Sequence, residues 1–266
     1  MIKADGRAVF RPTPWRKGGA AMQLDLTMMA VFFLICVCGS VIQAVCGFGF
    51  GVFVMMFLPY MMPSTLSAVV VASLLGMSSS GILALRYRRQ IRLRKVVVPL
   101  LAYFIVSTFL VRVSVTMNEV LIRRLLGGLM LILSIYFIRF SDRVHIRPTR
   151  VNAFAAGALG GAMSTLFGMG GPPISAYYLS DSDSNEEYLA SIQFYTVLSN
   201  VYVNTVRVAN GLCGRLELIL WAVGIFAVLL GGQLGKRIFS RLDGDALRRL
   251  VYAFMAVSGV IMLLKQ

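Results

Sequence analysis

The sequence predicts an all-α integral membrane protein with about eight transmembrane helices plus two re-entrant half-helices, built as two homologous repeats. Three observations carry that expectation. The chain of 266 residues is 58% hydrophobic and 14% charged, with a mean hydropathy of +0.79, more apolar sequence than a soluble core of this size needs. Apolar runs at 26–46, 66–85, 96–118, 120–138, 151–167, 188–206, 216–235 and 246–264 each approach the ~20 residues that span hydrocarbon. Finally, two glycine-dense stretches interrupt the apolar pattern at matching places, Gly39 to Gly51 and Gly160 to Pro173.

Residues 1–25 form a basic tail (Lys3, Arg7, Arg11, Arg16, Lys17) without the apolar core of a signal peptide, and Met22 is an alternative start. The first membrane repeat covers 26–138. Its first helix runs into Cys46-Gly47-Phe48-Gly49-Phe50-Gly51, where the glycines allow backbone conformations closed to other residues. The short apolar piece 48–62 that follows is read as a half-helix. Next come a helix ending at Arg86, the basic cluster Arg86, Arg88, Arg89, Arg92, Arg94 and Lys95, and a helical pair. A polar linker, 139–150, joins this half to the second repeat, 151–266. There the break is Gly168-Met169-Gly170-Gly171-Pro172-Pro173, whose prolines suit the first turn of a new helix, and the half-helix is 172–180. An offset of 121 positions superposes Gly39 on Gly160, Gly47 on Gly168, Gly49 on Gly170, Ser79 on Asn200 and Arg86 on Arg207. With four crossings per copy, both copies face the same way about an axis along the membrane normal.

The balance of 26 Lys+Arg against 11 Asp+Glu is read as topology rather than nucleic-acid binding. It places both termini and the Arg86–Lys95 cluster in the cytoplasm of a multi-pass cell (inner) membrane protein. Lys236, Arg237, Arg241, Arg248 and Arg249 then fall on the wrong side. The acidic loop Asp181 to Glu187 is expected as an outer cap without a metal.

These residues resemble the sulfite exporter TauE/SafE family of bacterial and plant membrane proteins. The match rests on the first glycine motif after helix one, the more specific second motif, and the basic loop between paired helices, over roughly residues 26–264. The resemblance implies a duplicated permease for sulfur-containing anions such as sulfite and organosulfonates. Substrate and direction differ among members, so the ligand stays open.

An anion at membrane depth needs desolvated N–H donors and positive potential, and a helix N-terminus supplies both. The candidate substrate-binding residues are therefore Gly47 and Gly49 at one break, and Gly168, Gly170, Gly171 and Pro172 at the other. Close helix packing is the competing use of such glycines. On the helix 188–208, Gln193, Asn200, Asn204 and Arg207 share one stripe some 60° wide at ~100° per residue, and polar groups in a membrane avoid lipid. Amides there can donate to an oxyanion, and Arg207 can supply charge near the cytoplasmic mouth; interhelical bonding and snorkelling are the alternatives. Ser79 takes the place of Asn200 in the first copy. Tyr177, Tyr178 and Tyr195 are candidates to cradle an organic group, or are interfacial anchors or core residues.

One histidine, His145, no Cys-x-x-Cys pair, no secure mid-membrane carboxylate and no phosphate-loop motif argue against catalytic residues, a metal site, a cofactor or ATP hydrolysis in this chain. The expected partners are a small anionic substrate and the lipid bilayer, with no nucleic acid; a homo-oligomer stays open. The reading is a secondary permease for small anions, most concretely sulfur oxyanions, working by alternating access between the repeats. A carboxylate or other organic-anion permease and a non-transporting membrane scaffold remain alternatives.

Overall fold

The computed structural model describes residues 26–140, 146–238 and 244–264, so the tail 1–25, with Met22, and His145 lie outside it. The described residues are helical throughout, with no strand among them. In chain order the helices are α1 (Leu26–Cys46), α2 (Phe50–Val54), α3 (Leu58–Met61), α4 (Thr65–Arg86), α5 (Leu93–Thr116), α6 (Glu119–Phe140), α7 (Arg150–Phe167), α8 (Gly171–Asp181), α9 (Asn185–Ala209), α10 (Arg215–Ile238) and α11 (Gly244–Leu264). Five of them, α1, α4, α5, α6 and α10, are long and apolar enough to cross a membrane. The exposed surface fits a lipid contact: Leu34, Ile105, Phe109, Ile132 and Phe226 are each more than half exposed, which no aqueous surface would favour in such number.

Side chains set several helix starts. Ser64 Oγ accepts from Ser67 N (3.1 Å), Thr149 Oγ1 from Asn152 N (3.2 Å) and Ser184 Oγ from Glu187 N (3.1 Å), each satisfying an amide that the first turn leaves free. Tight packing follows from small residues: a Cβ on Gly157 would overlap the carbonyl of Pro99, and one on Gly231 that of Val37. Thus α7 lies along α5 and α1 lies along α10, each pair parallel. Helix α4 meets α9 antiparallel, with Ser73 against Asn204 and Gly76 against Asn200. Helix α6 meets α11 antiparallel, with Ser134 Oγ donating to Tyr252 O (2.8 Å) and Gly127 against Met262.

The helix ends sort onto two faces. On one, Lys95 Nζ pairs with Glu187 (2.9 Å) and Asp181 (3.8 Å), Arg92 pairs with Asp183 and Glu187, and Ile146 N donates to Ser180 Oγ (3.1 Å). On the other, Glu119 accepts from Thr65 Oγ1 (2.5 Å), Ser67 donates to Glu217, and Arg123 reaches Pro59 O (3.3 Å).

Four expectations change on this geometry. Helix α8 returns to the face from which α7 entered; at 11 residues it extends only ~16 Å, about half the hydrocarbon thickness. The acidic loop therefore shares the face of the Arg86–Lys95 cluster instead of capping the opposite one. Helices α4 and α9, matched by the 121-residue offset, run antiparallel, so the two stretches do not face the same way. Leu26 and Leu264 sit at the face opposite the basic cluster, while Lys236 and Arg237, at the end of α10, join that cluster. Of the five basic residues that misfit the charge count, Lys236 and Arg237 are thereby accounted for; Arg241 and the side chains of Arg248 and Arg249 lie outside the described residues.

Candidate functional site

The two glycine breaks meet in the interior. Helix α1 stops where Gly47 N donates to Gln43 O (2.8 Å), and Gly47 and Gly49 take φ of +79° and +109°. Helix α7 stops in a double cap, Gly168 N to Ser164 O (3.0 Å) and Met169 N to Met163 O (3.2 Å), with Gly168 at φ +69°. A Cβ on Gly51 would overlap the carbonyl oxygen of Gly168, and one on Gly171 would lie 3.3 Å from Phe48 Cβ. Each break is thus shaped against the other.

A cavity of about 60 Å³ lies at this junction, roughly four times the space one water needs. Gly47, Gly49 and Gly51 line it from the first break, and Gly168, Gly170 and Gly171 from the second. Ser73 and Gly76 of α4, Tyr103 of α5 and Ser164 of α7 close other sides. Helix α9 contributes Tyr195, Thr196, Ser199 and Asn200.

Two polar groups on the wall have no protein partner among the described residues. The Asn200 amide forms no hydrogen bond, and the buried Tyr195 hydroxyl is likewise unpaired. Tyr103 is committed to Ser164 Oγ (3.0 Å). The backbone N–H groups of Gly170 and Gly171 open α8, whose next two residues are prolines and have none. Helix α2, at five residues, adds little dipole of its own, so the expected pair of equivalent helix ends is one real end and one short turn.

Arg207 is 1% exposed and lies behind this wall. Its guanidinium donates to Ser73 Oγ (2.7 Å), Asn204 Oδ1 (3.3 Å), Ser164 O (3.3 Å) and Thr165 O (2.9 Å). Thr165 O is an orphan carbonyl at the C-terminus of α7, where the helix dipole favours a cation, and Ser164 O beside it also accepts from Gly168 N. Among the described residues no carboxylate lies within ion-pair distance of it, so a positive charge is held in the interior by neutral oxygens alone. Ser73, which accepts from Arg207, donates in turn to Asn204 Oδ1 (2.6 Å) and lines the cavity.

The polar stripe of α9 is buried as expected, with distinct duties along it. Asn200 faces the cavity. Gln193 clamps the first break, donating to Gly47 O (2.5 Å) and accepting from Gln43 Nε2 (3.1 Å). Asn204 and Arg207 form the layer behind. Arg207 neither snorkels nor stands at a mouth on the side of Arg86; it is interior, toward the opposite face. Pro172 is buried at the start of α8 and does not reach the cavity. Ser79 lines a different cavity of about 230 Å³ between α1, α4 and α10, together with Arg86 and Lys236. Tyr177 and Tyr178 pack in the core away from the central cavity, and only Tyr195 of the three tyrosines reaches it.

Sequence reasoning missed Gln43, Ser73, Ser164 and Tyr103. Gln43 is a polar residue within an apolar helix, and it donates to Ser80 Oγ (2.7 Å) as well as to Gln193. That isolation within α1 was the available signal. The serines carry none, because serine is ordinary in packed membrane helices.

A cavity at two helix breaks, part polar and part apolar in its lining, with a buried guanidinium behind it and, among the described residues, no carboxylate on its wall, suits a small anion. Residues 31–262, nearly the whole chain, match the family described as sulfite exporter TauE/SafE. No curated protein and no solved structure shows a significant match. On the strength of that match the chain belongs to the sulfite exporter TauE/SafE family, whose members are multi-pass membrane transporters, not enzymes, of sulfite or related anions.

Proposed function

We propose that this protein is a secondary permease that carries sulfite or another small sulfur oxyanion through the central cavity, exposing it in turn to the two faces of the cell (inner) membrane. The observation that carries the reading is the buried Arg207 charge, held with no counter-ion among the described residues, one serine behind a wall on which Asn200 and Tyr195 have unspent hydrogen-bonding groups. An oxyanion in the cavity supplies the missing negative charge and the missing acceptors together. In this reading Asn200, Gly170 and Gly171 donate to the anion. Gly47, Gly49 and Gly168 shape the backbone around it, while Gln193, Asn204 and Arg207 fix that shape and set its potential. Among the described residues no proton-carrying carboxylate lines the cavity, so a proton in symport would travel on the substrate.

The alternating step is assigned to two halves of inverted orientation. The antiparallel pairs α4 with α9 and α6 with α11, and the matched parallel pairs α1 with α10 and α5 with α7, are what a two-fold axis in the membrane plane would produce. The positive-inside tendency then puts Arg86–Lys95, Arg147, Arg150, Lys236 and Arg237 in the cytoplasm, and Leu26 and Leu264 toward the opposite side.

The test is flux in proteoliposomes. Protein reconstituted in neutral lipid and loaded with sulfite should exchange it for external sulfite, thiosulfate or a small sulfonate well above protein-free vesicles. A panel of carboxylates run beside them decides between sulfur oxyanions and organic acids in general. No exchange of any anion, with correctly folded protein, would refute the permease reading.

A further inference from the structure

A second and much larger cavity, about 510 Å³, opens on the basic face beside the central one. Its size falls in the range that encloses small organic molecules, whereas an inorganic oxyanion fills only a fraction of it. Two cations line it, Arg86 from the end of α4 and Lys236 from the end of α10, both exposed; among the described residues neither forms an ion pair. Its lining is also aromatic: Phe137 stacks on Tyr252 (centroids 4.7 Å apart, planes 8° apart), Tyr136 meets Phe137 edge-on (5.4 Å), and Tyr188 lines the same space.

Phe48 separates this vestibule from the central cavity. Its ring stacks on Phe137 (5.6 Å) and its residue lines both spaces. It stands between Gly47 and Gly49, both at positive φ, so the partition rides on the first glycine break.

We propose that the vestibule is an outer binding site for organic monoanions whose apolar body is about the size of one aromatic ring or a short alkyl chain. Arg86 and Lys236 hold the acid group, the Phe137–Tyr252 stack holds the body, and displacement of Phe48 leads inward. Two cations and a pair of stacked rings lining one cavity match an anion with an apolar end, and match neither a bare oxyanion nor a neutral solute. The inference rests on the permease reading only in treating the vestibule as the approach to the central cavity.

The experiment is equilibrium binding of radiolabelled benzenesulfonate, methanesulfonate and sulfite to full-length protein in neutral-lipid nanodiscs. Wild type should bind benzenesulfonate more tightly than methanesulfonate. Substituting both Arg86→Gln and Lys236→Gln should raise the Kd for benzenesulfonate by about tenfold or more, the loss of charge-assisted bonds. Phe137→Ala should reduce the preference for benzenesulfonate over methanesulfonate. Asn200→Ala should weaken sulfite and leave benzenesulfonate bound, which separates the two sites: absence of sulfite binding by wild type, or sulfite binding unchanged in Asn200→Ala, tells against the central site, not the vestibule. The proposal is overturned if wild type does not bind benzenesulfonate, or if the double variant binds it unchanged. It is equally overturned if nanodiscs containing phosphatidylglycerol abolish the binding, because the cavity would then be a lipid headgroup site.

Discussion

Replacing Asn200 with alanine isolates the anion contact from the architecture that surrounds it. The amide lines the central cavity and makes no hydrogen bond among the described residues, so its removal breaks none of their bonds and enlarges a cavity that already exists. The cost in stability should stay under about 1 kcal/mol, within the range of substitutions that remove no buried partner. A hydrogen bond to a charged group contributes about 1.5–3 kcal/mol, and about 1.4 kcal/mol is a factor of ten, so affinity for sulfite should fall about 10- to 150-fold. Asn200→Asp keeps the size and sets a negative charge beside the anion, and binding should disappear at pH 7. The assay is the shift in thermal midpoint with sulfite at fixed ionic strength, since a ligand of the folded state stabilises it by mass action, checked by direct binding and by vesicle flux. A sulfite Kd for Asn200→Ala within about twofold of wild type, in protein of unchanged stability, would refute the assignment of Asn200 and of the cavity it lines.

Other perturbations follow from the same geometry. Gln193→Ala removes the donor to Gly47 O and the acceptor for Gln43, leaving buried groups unpaired, and should lower stability in detergent by about 1–3 kcal/mol, read as a reduced thermal midpoint. Gly51→Ala drives a methyl into the Gly168 carbonyl and should destabilise by ~3 kcal/mol or more, separating the two breaks; an unchanged midpoint would deny their contact. Arg207→Gln should weaken sulfite at least as far as Asn200→Ala, because the interior charge is lost along with its bonds to the end of α7. In a cysteine-free background, single cysteines at Gln90 and Ser182 should be labelled by an impermeant maleimide from the same side of the membrane, and one at Gly211 from the other. Labelling of positions 90 and 182 from opposite sides would mean that α8 does not turn back.

The breaks were legible because positive φ at Gly47, Gly49 and Gly168 demands the residue that stands there, and the stripe on α9 because helical period alone aligns Gln193, Asn200, Asn204 and Arg207. The direction of the hairpins was not. A helix that crosses and one that turns back at mid-depth bury the same kinds of side chain, so composition does not distinguish them. Ser79 was misplaced for a related reason. An offset between repeated stretches finds the equivalent residue, whereas the antiparallel crossing of α4 and α9 sets Gly76 against Asn200 and Ser73 against Asn204 and Arg207. Contact partners in such a crossing lie at mirrored positions along the two helices.

The parallel pairing of α1 with α10 and α7 with α5 also governs how the chain is made. When synthesis has reached residue 140, α1 has emerged without the helix that covers it, and the glycine-lined groove of Gly231 that receives it does not yet exist. Helix α5 must likewise wait for α7. The interior charge of Arg207 arrives last among the central groups, after the serine and carbonyls that will hold it. Neither stretch can reach its final packing alone, so the first half is completed only once the second has been made, and a chain halted between the halves would leave the faces of α1 and α5 that receive α10 and α7 uncovered.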